Sequence, residues 1–254
     1  MRDLTGIVNI ITQYLEETQL NRVPELGNMK IYDGPLVGLA NAEDPLFDKL
    51  KEPSVIGPHH LNPQEWLPGA QTVISYFLPF NETVRKSNRL DHLPSKEWLY
   101  GRYEGELCND VVRRFLKEEI EKMGGKAVIP VQDARFQVID KRSNWSERHA
   151  AFIAGLGTFG LSKSLITEKG CAGRYGSIVV NLWYEPTPRS YLKIDEYCTK
   201  CGACIERCPA GAITEEGKAH EPCSRFVDDT KVRFAPRYGC GKCQTGVPCE
   251  NTRP

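Results

Sequence analysis

The fold of this chain is decided by a cysteine-rich run, Cys198-Thr199-Lys200-Cys201-Gly202-Ala203-Cys204-Ile205-Glu206-Arg207-Cys208-Pro209. Cysteines spaced C-x2-C-x2-C-x3-C and followed by proline are the arrangement with which bacterial ferredoxins hold iron–sulfur clusters. The spacing predicts that the first three thiolates bind one cluster and that the fourth, Cys208, binds a second cluster. Pro209 has a fixed φ and no N–H, so it ends the turn that wraps the cluster.

Further cysteines follow this run and supply enough thiolates for the second cluster: Cys223, Cys240, Cys243 and Cys249. The alternative is a pair of zinc sites built from C-x2-C pairs. Such zinc sites hold their two pairs apart, whereas the run crowds four cysteines into eleven residues before a proline. The sequence therefore favours iron–sulfur clusters over zinc and predicts all eight of these cysteines as ligands.

Composition and charge exclude several classes of function. The formal net charge of the 254 residues is zero, so no overall field draws the chain to DNA, RNA or an anionic membrane. No run of eighteen apolar residues occurs, and the start of the sequence lacks the pattern of a signal peptide. We therefore expect a cytoplasmic protein without a membrane partner, in which ten cysteines indicate metal binding rather than disulfides.

The cysteines are distributed unevenly, and this predicts two domains. Eight of the ten lie after residue 197. The stretch Glu185-Pro186-Thr187-Pro188-Arg189-Ser190 is typical of a linker. We predict that residues 1–187 form a domain for a cofactor or substrate and that residues 188–254 form a ferredoxin-like cluster domain.

Helical and strand patterns alternate before the linker, which predicts a mixed α/β domain. Apolar residues at helical spacing indicate a helix within residues 1–20, and a longer one is predicted between Ser95 and Gly124. The nearly continuous apolar run over 72–78 is typical of a strand covered on both faces. Further strands are expected at 36–40, 127–131 and 175–183. The polar residues 81–94 are predicted to form a long loop, a candidate lid.

Candidate pocket residues lie between residues 140 and 177. Ser146 is a reasonable N-cap for a helix, with Glu147 in its first turn. Residues 155–160 match the dinucleotide pattern G-x-G-x-x-G, but they follow a helix instead of a strand, so we reject a nucleotide site. A glycine turn can still approach a flat cofactor closely, although a structural role for these glycines remains open. The predicted cofactor contacts are Ser146, Arg148, Gly157, Thr158, Phe159, Arg174, Gly176 and Ser177.

Several motifs resemble epoxyqueuosine reductase and the related reductive dehalogenases in the same order along the chain. They are Leu67-Pro68-Gly69-Ala70-Gln71-Thr72-Val73-Ile74, Glu147-Arg148 followed by Ala154-Gly155-Leu156-Gly157, Gly176-Ser177, and the cysteine run. The resemblance covers most of residues 60–254, and the cysteine run is its most specific part.

The resemblance implies a nitroreductase-like α/β domain that binds cobalamin in its base-off form, followed by a ferredoxin-like domain with two [4Fe-4S] clusters. It implies that Cys198, Cys201, Cys204 and Cys249 hold one cluster. The other cluster would be held by Cys208, Cys223, Cys240 and Cys243. A reduced ferredoxin or flavodoxin would donate the electrons, and Asp140 would be the catalytic proton donor.

The sequence also departs from the family pattern. The proton-donor aspartate of the family precedes the Glu-Arg pair by six residues, whereas Asp140 precedes Glu147 by seven; Asn144 and Arg148 are the other polar candidates. The last cysteines are spaced C-x2-C-x5-C instead of ending in C-x3-C-P. The helical-repeat extension with which the family grips transfer RNA does not follow Pro254. We therefore expect a short relative for which transfer RNA is not a partner.

Two hypotheses of function follow. In the first, the chain is a reductase that passes electrons through two clusters to a corrinoid or a small-molecule substrate in the α/β domain. In the second, it is a two-cluster electron carrier or activator that docks a protein partner and holds no corrinoid of its own. The large first domain favours the first hypothesis, and the altered second cysteine motif favours the other.

Overall fold

A computed structural model describes residues 3–254 of the chain. The helices are α1 (Leu4–Glu17), α2 (Leu46–Lys49), α3 (Pro63–Trp66), α4 (Glu82–Ser87), α5 (Lys96–Lys122), α6 (Glu147–Ile153), α7 (Ala203–Glu206) and α8 (His220–Phe234). The first strands are β1 (Arg22–Val23), β2 (Met29–Lys30), β3 (Leu36–Asn41), β4 (Thr72–Pro79), β5 (Ala127–Val128) and β6 (Val138–Ile139). The others are β7 (Arg142–Ser143), β8 (Gly157–Phe159), β9 (Leu165–Thr167), β10 (Gly173–Val180), β11 (Ile213–Thr214) and β12 (Gly217–Lys218).

The predicted helices near residues 1–20 and 95–124 are confirmed, and local signals explain their bounds. The Asp3 side chain accepts a hydrogen bond from Gly6 N at 2.8 Å at the start of α1. Ser95 caps α5 in the same way by accepting from Trp98 N at 3.1 Å. Gly124, at φ +82°, follows the C-cap of α5 in the left-handed conformation that glycine adopts without steric cost.

The central sheet has four strands in the order β3-β4-β10-β5, and all neighbours are antiparallel. All eight residues of β4 are buried, as the continuous apolar run predicts. The reason is that α1 and α5 cover one face of the sheet, while α6 packs on the other. The prediction of a mixed α/β domain is confirmed. Helix α6 packs on β4 and β10, and this packing positions its side chains.

The prediction of a loop at 81–94 is wrong for its first half, because that segment contains the helix α4. Asn81 caps this helix by accepting from Thr83 N at 3.1 Å. Arg85 and Asn88 are buried despite their polarity. Their partners, Glu250 and the backbone of Cys240, lie far away in sequence. These contacts attach the segment to the C-terminal cysteine loops.

The C-terminal segment packs tightly against the sheet-containing unit through buried polar contacts. Lys242 is almost fully buried, and its Nζ donates to the carbonyls of Asn88 and Leu90 at 2.9 and 2.6 Å. Glu250 pairs with Arg85 at 2.9 Å and with Arg89 at 2.8 Å. These contacts hold the last cysteines against α4, and the predicted domain boundary at residue 187 stays a prediction. Across residues 3–254, no helix is long and apolar enough to cross a membrane.

Candidate functional site: two cysteine sets and a cavity

The cysteines gather around two pockets. Cys198, Cys201, Cys204 and Cys249 line a small pocket, which we call the first cysteine set. Cys208, Cys223, Cys240 and Cys243 line part of a larger cavity and form the second cysteine set. Within residues 3–254, no three His, Cys, Asp or Glu side chains converge in a group that could hold a single metal ion. Each of the two pockets is nevertheless lined by four cysteines.

Glycines and a short helix give the cysteine loops their shape. Gly202 adopts φ +79° just before α7, the turn of helix that carries Cys204. Gly241, between Cys240 and Cys243, lies so close to Trp98 that an added Cβ would stand 1.9 Å from the indole ring. Only glycine fits at position 241, and the close packing brings the second cysteine set up to α5.

The second cysteine set is one wall of a cavity of about 640 Å³. Other parts of the wall come from α5, from α6 and the residues just before it, and from β10, and they mix aromatic with charged side chains. Their principal members are Trp98, Arg102, Glu106, Arg113, Trp145, Glu147 and Arg174. This volume lies within the range of pockets that bind small molecules.

A network of charges around the buried Arg113 lies on the sheet side of the cavity. Arg113 Nη1 lies 3.0 Å from Glu106 and 2.7 Å from Asp110, and Glu106 also pairs with Arg174. Burial opposes ionisation of Glu106, but the two arginines outweigh it and lower its pKa to about 2. Glu106 therefore stays charged and holds both guanidinium groups in place.

Glu147, the first residue of α6, differs from Glu106. Its Oε2 accepts from Ser177, whose hydroxyl also accepts from Trp145 Nε1 at 2.9 Å. Its Oε1 accepts no hydrogen bond within the described residues and lies 3.4 Å from Arg113 Nε. Burial raises the pKa of Glu147 to about 7, since Arg113 is shared with other carboxylates and compensates only in part. The site thus contains a carboxyl group that can hold or release a proton near neutral pH.

The structure brings some of the predicted pocket residues to the cavity wall. Ser146, Arg148 and Arg174 line the cavity. Arg148 is exposed there and donates to the carbonyl of Lys163 at 2.6 Å. Ser146 occupies the N-cap position of α6, but its hydroxyl pairs with His149 Nδ1 at 2.8 Å instead of capping the helix.

The other predicted contacts do not line this cavity. Residues 157–159 form β8, which pairs with β9. An added Cβ at Gly157 would lie 2.0 Å from the carbonyl oxygen of Ile166, so this glycine serves the hairpin. Gly176 packs on the ring of Tyr76, and Ser177 reaches the site only through Glu147. Their assignment as cofactor contacts stays a prediction that this geometry does not support.

Asp140 also lies apart from both pockets. It is exposed at the tip of the β6–β7 hairpin, with φ +48°. The neighbouring Lys141 forms an ion pair with Glu221 of α8 at 2.6 Å. The proton-donor role of Asp140 stays a prediction.

Sequence reasoning missed the buried charges of α5. Glu106 and Arg113 stand seven residues apart, so they share the face of the helix that packs on β10. One signal was available in the sequence: charged residues occur in α5 at helical positions where apolar residues would be expected. The Glu147-Arg148 motif drew attention to this position in the sequence. The surroundings of the carboxyl group of Glu147 could not be predicted from its neighbours in sequence.

Together, the cysteine sets and the mixed α/β unit define an iron–sulfur protein with an attached small-molecule cavity. The family of the 4Fe-4S binding domain matches residues 191–214, which include Cys198, Cys201, Cys204 and Cys208. Among curated proteins, the chain is 27% identical to epoxyqueuosine reductase of Bacillus cereus over 199 residues, which cover 74% of this chain and 50% of that protein. The Bacillus subtilis epoxyqueuosine reductase is 24% identical over 83% of this chain and 53% of its own length.

Solved structures show the same fold. An epoxyqueuosine reductase bound to an epoxyqueuosine-modified tRNA-Tyr stem loop superposes with a TM-score of 0.53 at 18% identity, covering 98% of this chain and 66% of that one. A catabolic reductive dehalogenase in complex with 3-bromo-4-hydroxybenzoic acid gives a TM-score of 0.56 at 14% identity, covering 98% and 37%.

The predicted resemblance to these proteins is confirmed. The chain spans about half the length of the curated relatives it matches. The expectation that transfer RNA is not a partner gains no support from the comparisons, because a structural relative was solved with a tRNA stem loop.

Proposed function

We propose that this chain is an iron–sulfur reductase that passes electrons through two [4Fe-4S] clusters into the cavity. The observation that carries the proposal is the double role of the second cysteine set, whose thiols also form a wall of the cavity that contains Glu147. An electron source and a proton source then face the same space. The α/β unit would be the nitroreductase-like cofactor domain that the family resemblance implies.

The residues of both sets fit [4Fe-4S] clusters, because each set places four cysteine thiols around one pocket. Cys198, Cys201, Cys204 and Cys249 would hold the first cluster. The second cluster would be held by the remaining four, Cys208, Cys223, Cys240 and Cys243. When bound, the clusters supply single electrons at low potential.

The direction of electron flow follows from exposure. Cys201 of the first set is exposed, and Leu192 and Ile194, which precede Cys198 by six and four residues, are 99% and 55% exposed. A reduced carrier of the ferredoxin or flavodoxin type would dock at this apolar rim, next to the first cluster. The second set then stands between the donor and the cavity.

The chain's own residues handle the substrate and the proton. When bound, the cluster of the second cysteine set would supply electrons one at a time, and the protonated carboxyl of Glu147 would give a proton to the substrate as it is reduced. Ser177 donates a hydrogen bond to the carboxyl of Glu147 and accepts one from Trp145, while Arg113 stabilises the carboxylate left behind. Glu147 is reprotonated from solvent, which enters the open cavity as far as Arg148.

A base-off corrinoid is the finer part of the proposal. No histidine is among the residues that line the cavity within the described chain, which fits a corrinoid held without an imidazole ligand. Ser146, Arg148 and Arg174 would contact its polar groups. The cavity of about 640 Å³ also borders the second cysteine set. Its walls would therefore enclose only part of a complete cobalamin. When bound, the corrinoid supplies a strongly reducing cobalt centre.

For the substrate we propose a small molecule, in line with the volume of the cavity and the zero formal charge of the chain. The relatives named as epoxyqueuosine reductases point to an epoxide or a similarly reducible group. The alternative, a carrier that only docks a protein partner, leaves the raised pKa of the buried Glu147 without a use.

Metal analysis of anaerobically purified protein tests this proposal. We expect about eight irons and eight sulfides per chain, as two [4Fe-4S] clusters require. Cys201→Ser and Cys223→Ser should each lose about half of the iron, because the two residues belong to different sets. Cys108→Ser, which changes a buried thiol of α5 outside both sets, is the matched control and should keep all of it. Stoichiometric zinc, or equal iron in all four proteins, would refute the proposal.

A further inference from the structure

One cysteine lies outside both sets and yet touches one of them. Cys171 is fully buried, and its Sγ lies 3.9 Å from Sγ of Cys249 in donor geometry. It does not line the pocket of the first set, whose walls include the thiols of Cys198, Cys201, Cys204 and Cys249. Cys171 therefore approaches Cys249 from the side of the protein interior.

Backbone contacts fix this approach. Cys171 N donates to the carbonyls of Cys249 and Glu250 at 2.9 and 3.2 Å, and Ala172 N donates to Glu250 O at 3.1 Å. Gly170 is clamped so closely that an added Cβ would lie 2.3 Å from Glu250 O. The carbonyl of Cys171 accepts from Gln244 Nε2 at 3.1 Å. The chain thus holds the backbones of the two cysteines side by side, and their sulfur atoms lie 3.9 Å apart.

We infer that Cys171 is a positioning residue whose S–H donates a hydrogen bond to the thiolate of Cys249 and raises the reduction potential of the first cluster. The inference rests on the proposed function, because it takes Cys249 as a ligand of that cluster. It assigns to Cys171 a role different from that of the eight cysteines in the two sets.

The physical reason is the charge that the ligand sulfur carries. A cysteine bound to iron is a thiolate, and a second thiolate in contact with it would be repelled, so Cys171 remains a neutral S–H donor. Reduction adds negative charge to the cluster and its sulfurs, and a hydrogen bond to a ligand sulfur stabilises the reduced state more than the oxidised state. Removal of the donor must therefore make the first cluster harder to reduce.

The experiment is an anaerobic redox titration of cluster-loaded protein, followed by electron paramagnetic resonance with dithionite as reductant. Cys171→Ala removes the donor, Cys171→Ser keeps a hydroxyl donor, and Cys108→Ala removes a buried thiol that touches neither set. We expect Cys171→Ala to lower the reduction equilibrium constant of one cluster by up to about tenfold, which is 59 mV for a one-electron couple. Cys171→Ser should shift it less, and the other cluster and the Cys108→Ala protein should match wild type.

The outcomes separate this inference from the proposed function. Wild-type protein without [4Fe-4S] signals would remove the proposed function itself. Intact clusters with equal midpoints in wild type and Cys171→Ala would overturn only the role of Cys171. Loss of iron from Cys171→Ala would also overturn it, since the residue would then be a ligand or a structural support. An equal shift in the alanine and serine variants would assign the effect to packing instead of the hydrogen bond.

Discussion

Replacement of Glu147 by glutamine gives a quantitative test of the buried carboxyl group. Burial raises the pKa of Glu147 to about 7 from an ordinary value of 4.5. Each pH unit of this difference corresponds to about 1.4 kcal/mol, so ionised Glu147 costs the folded protein about 3 kcal/mol. Because the pKa of Glu147 is higher in the folded protein than in the unfolded chain, the protonated carboxyl group favours folding. This contribution to stability is fully present below pH 4.5 and is lost as the pH rises through 7.

The assay compares the midpoint of thermal unfolding of wild type and Glu147→Gln, both cluster-loaded and anaerobic, at one scan rate. Glutamine cannot ionise, so the variant does not lose stability when the pH rises through 7. Between pH 5.5 and 8.5 the stability of the variant relative to wild type should rise by about 2 kcal/mol. For a chain of this size that corresponds to roughly 4–8 °C in the midpoint. Any constant cost of an amide beside Arg113 cancels in this comparison.

Asp133→Asn is the control, because Asp133 also pairs with an arginine, Arg135, and has a pKa of about 2. It is ionised throughout the range, so its replacement should lower the midpoint by the same amount at every pH. If the difference between wild type and Glu147→Gln does not change with pH, Glu147 does not titrate near neutrality and its role as proton donor fails.

Two further predictions concern the cluster support and the corrinoid. Glu250→Ala should cost about 3 kcal/mol in thermal unfolding, because it leaves the buried Arg85 without its carboxylate. Glu82→Ala, which breaks an exposed pair with Lys86, should leave the midpoint unchanged, and an equal effect of both would contradict the burial argument. Anaerobic reconstitution with cobalamin should give protein that keeps altered corrinoid absorption bands after desalting; bands of the free cofactor alone would exclude the corrinoid.

The features that are predictable from sequence are those written in a few neighbouring residues. The spacing from Cys198 to Cys208 determines how closely the thiolates can approach one another. It therefore indicates iron–sulfur chemistry without reference to the rest of the fold. Caps such as Ser95 and the apolar run of β4 act over similarly short distances. The mixed α/β class follows from the order of such segments.

The polar segment at 81–94 shows where this reasoning fails. Its composition is typical of a solvated loop, but Arg85 bonds to Glu250, 165 residues further along the chain. A polar residue can be buried wherever a residue distant in sequence forms hydrogen bonds with it. No local sequence pattern predicts which residue that partner is. The same limit applies to Glu106 and Arg113, whose charges are balanced across α5 and β10.

The cysteine spacing by itself determined that this chain carries iron–sulfur chemistry, because ligand geometry over eleven residues is a local property. The family resemblance implied that Cys249 joins Cys198, Cys201 and Cys204, and the fold places these four around one pocket. Only the tertiary structure decided that Cys171 lies behind Cys249 and that the second set opens onto a cavity with Glu147. These relations join segments that lie tens of residues apart in sequence. They depend on how α4, α5 and α6 pack around the sheet, and burial in that packing gives the carboxyl group of Glu147 its raised pKa.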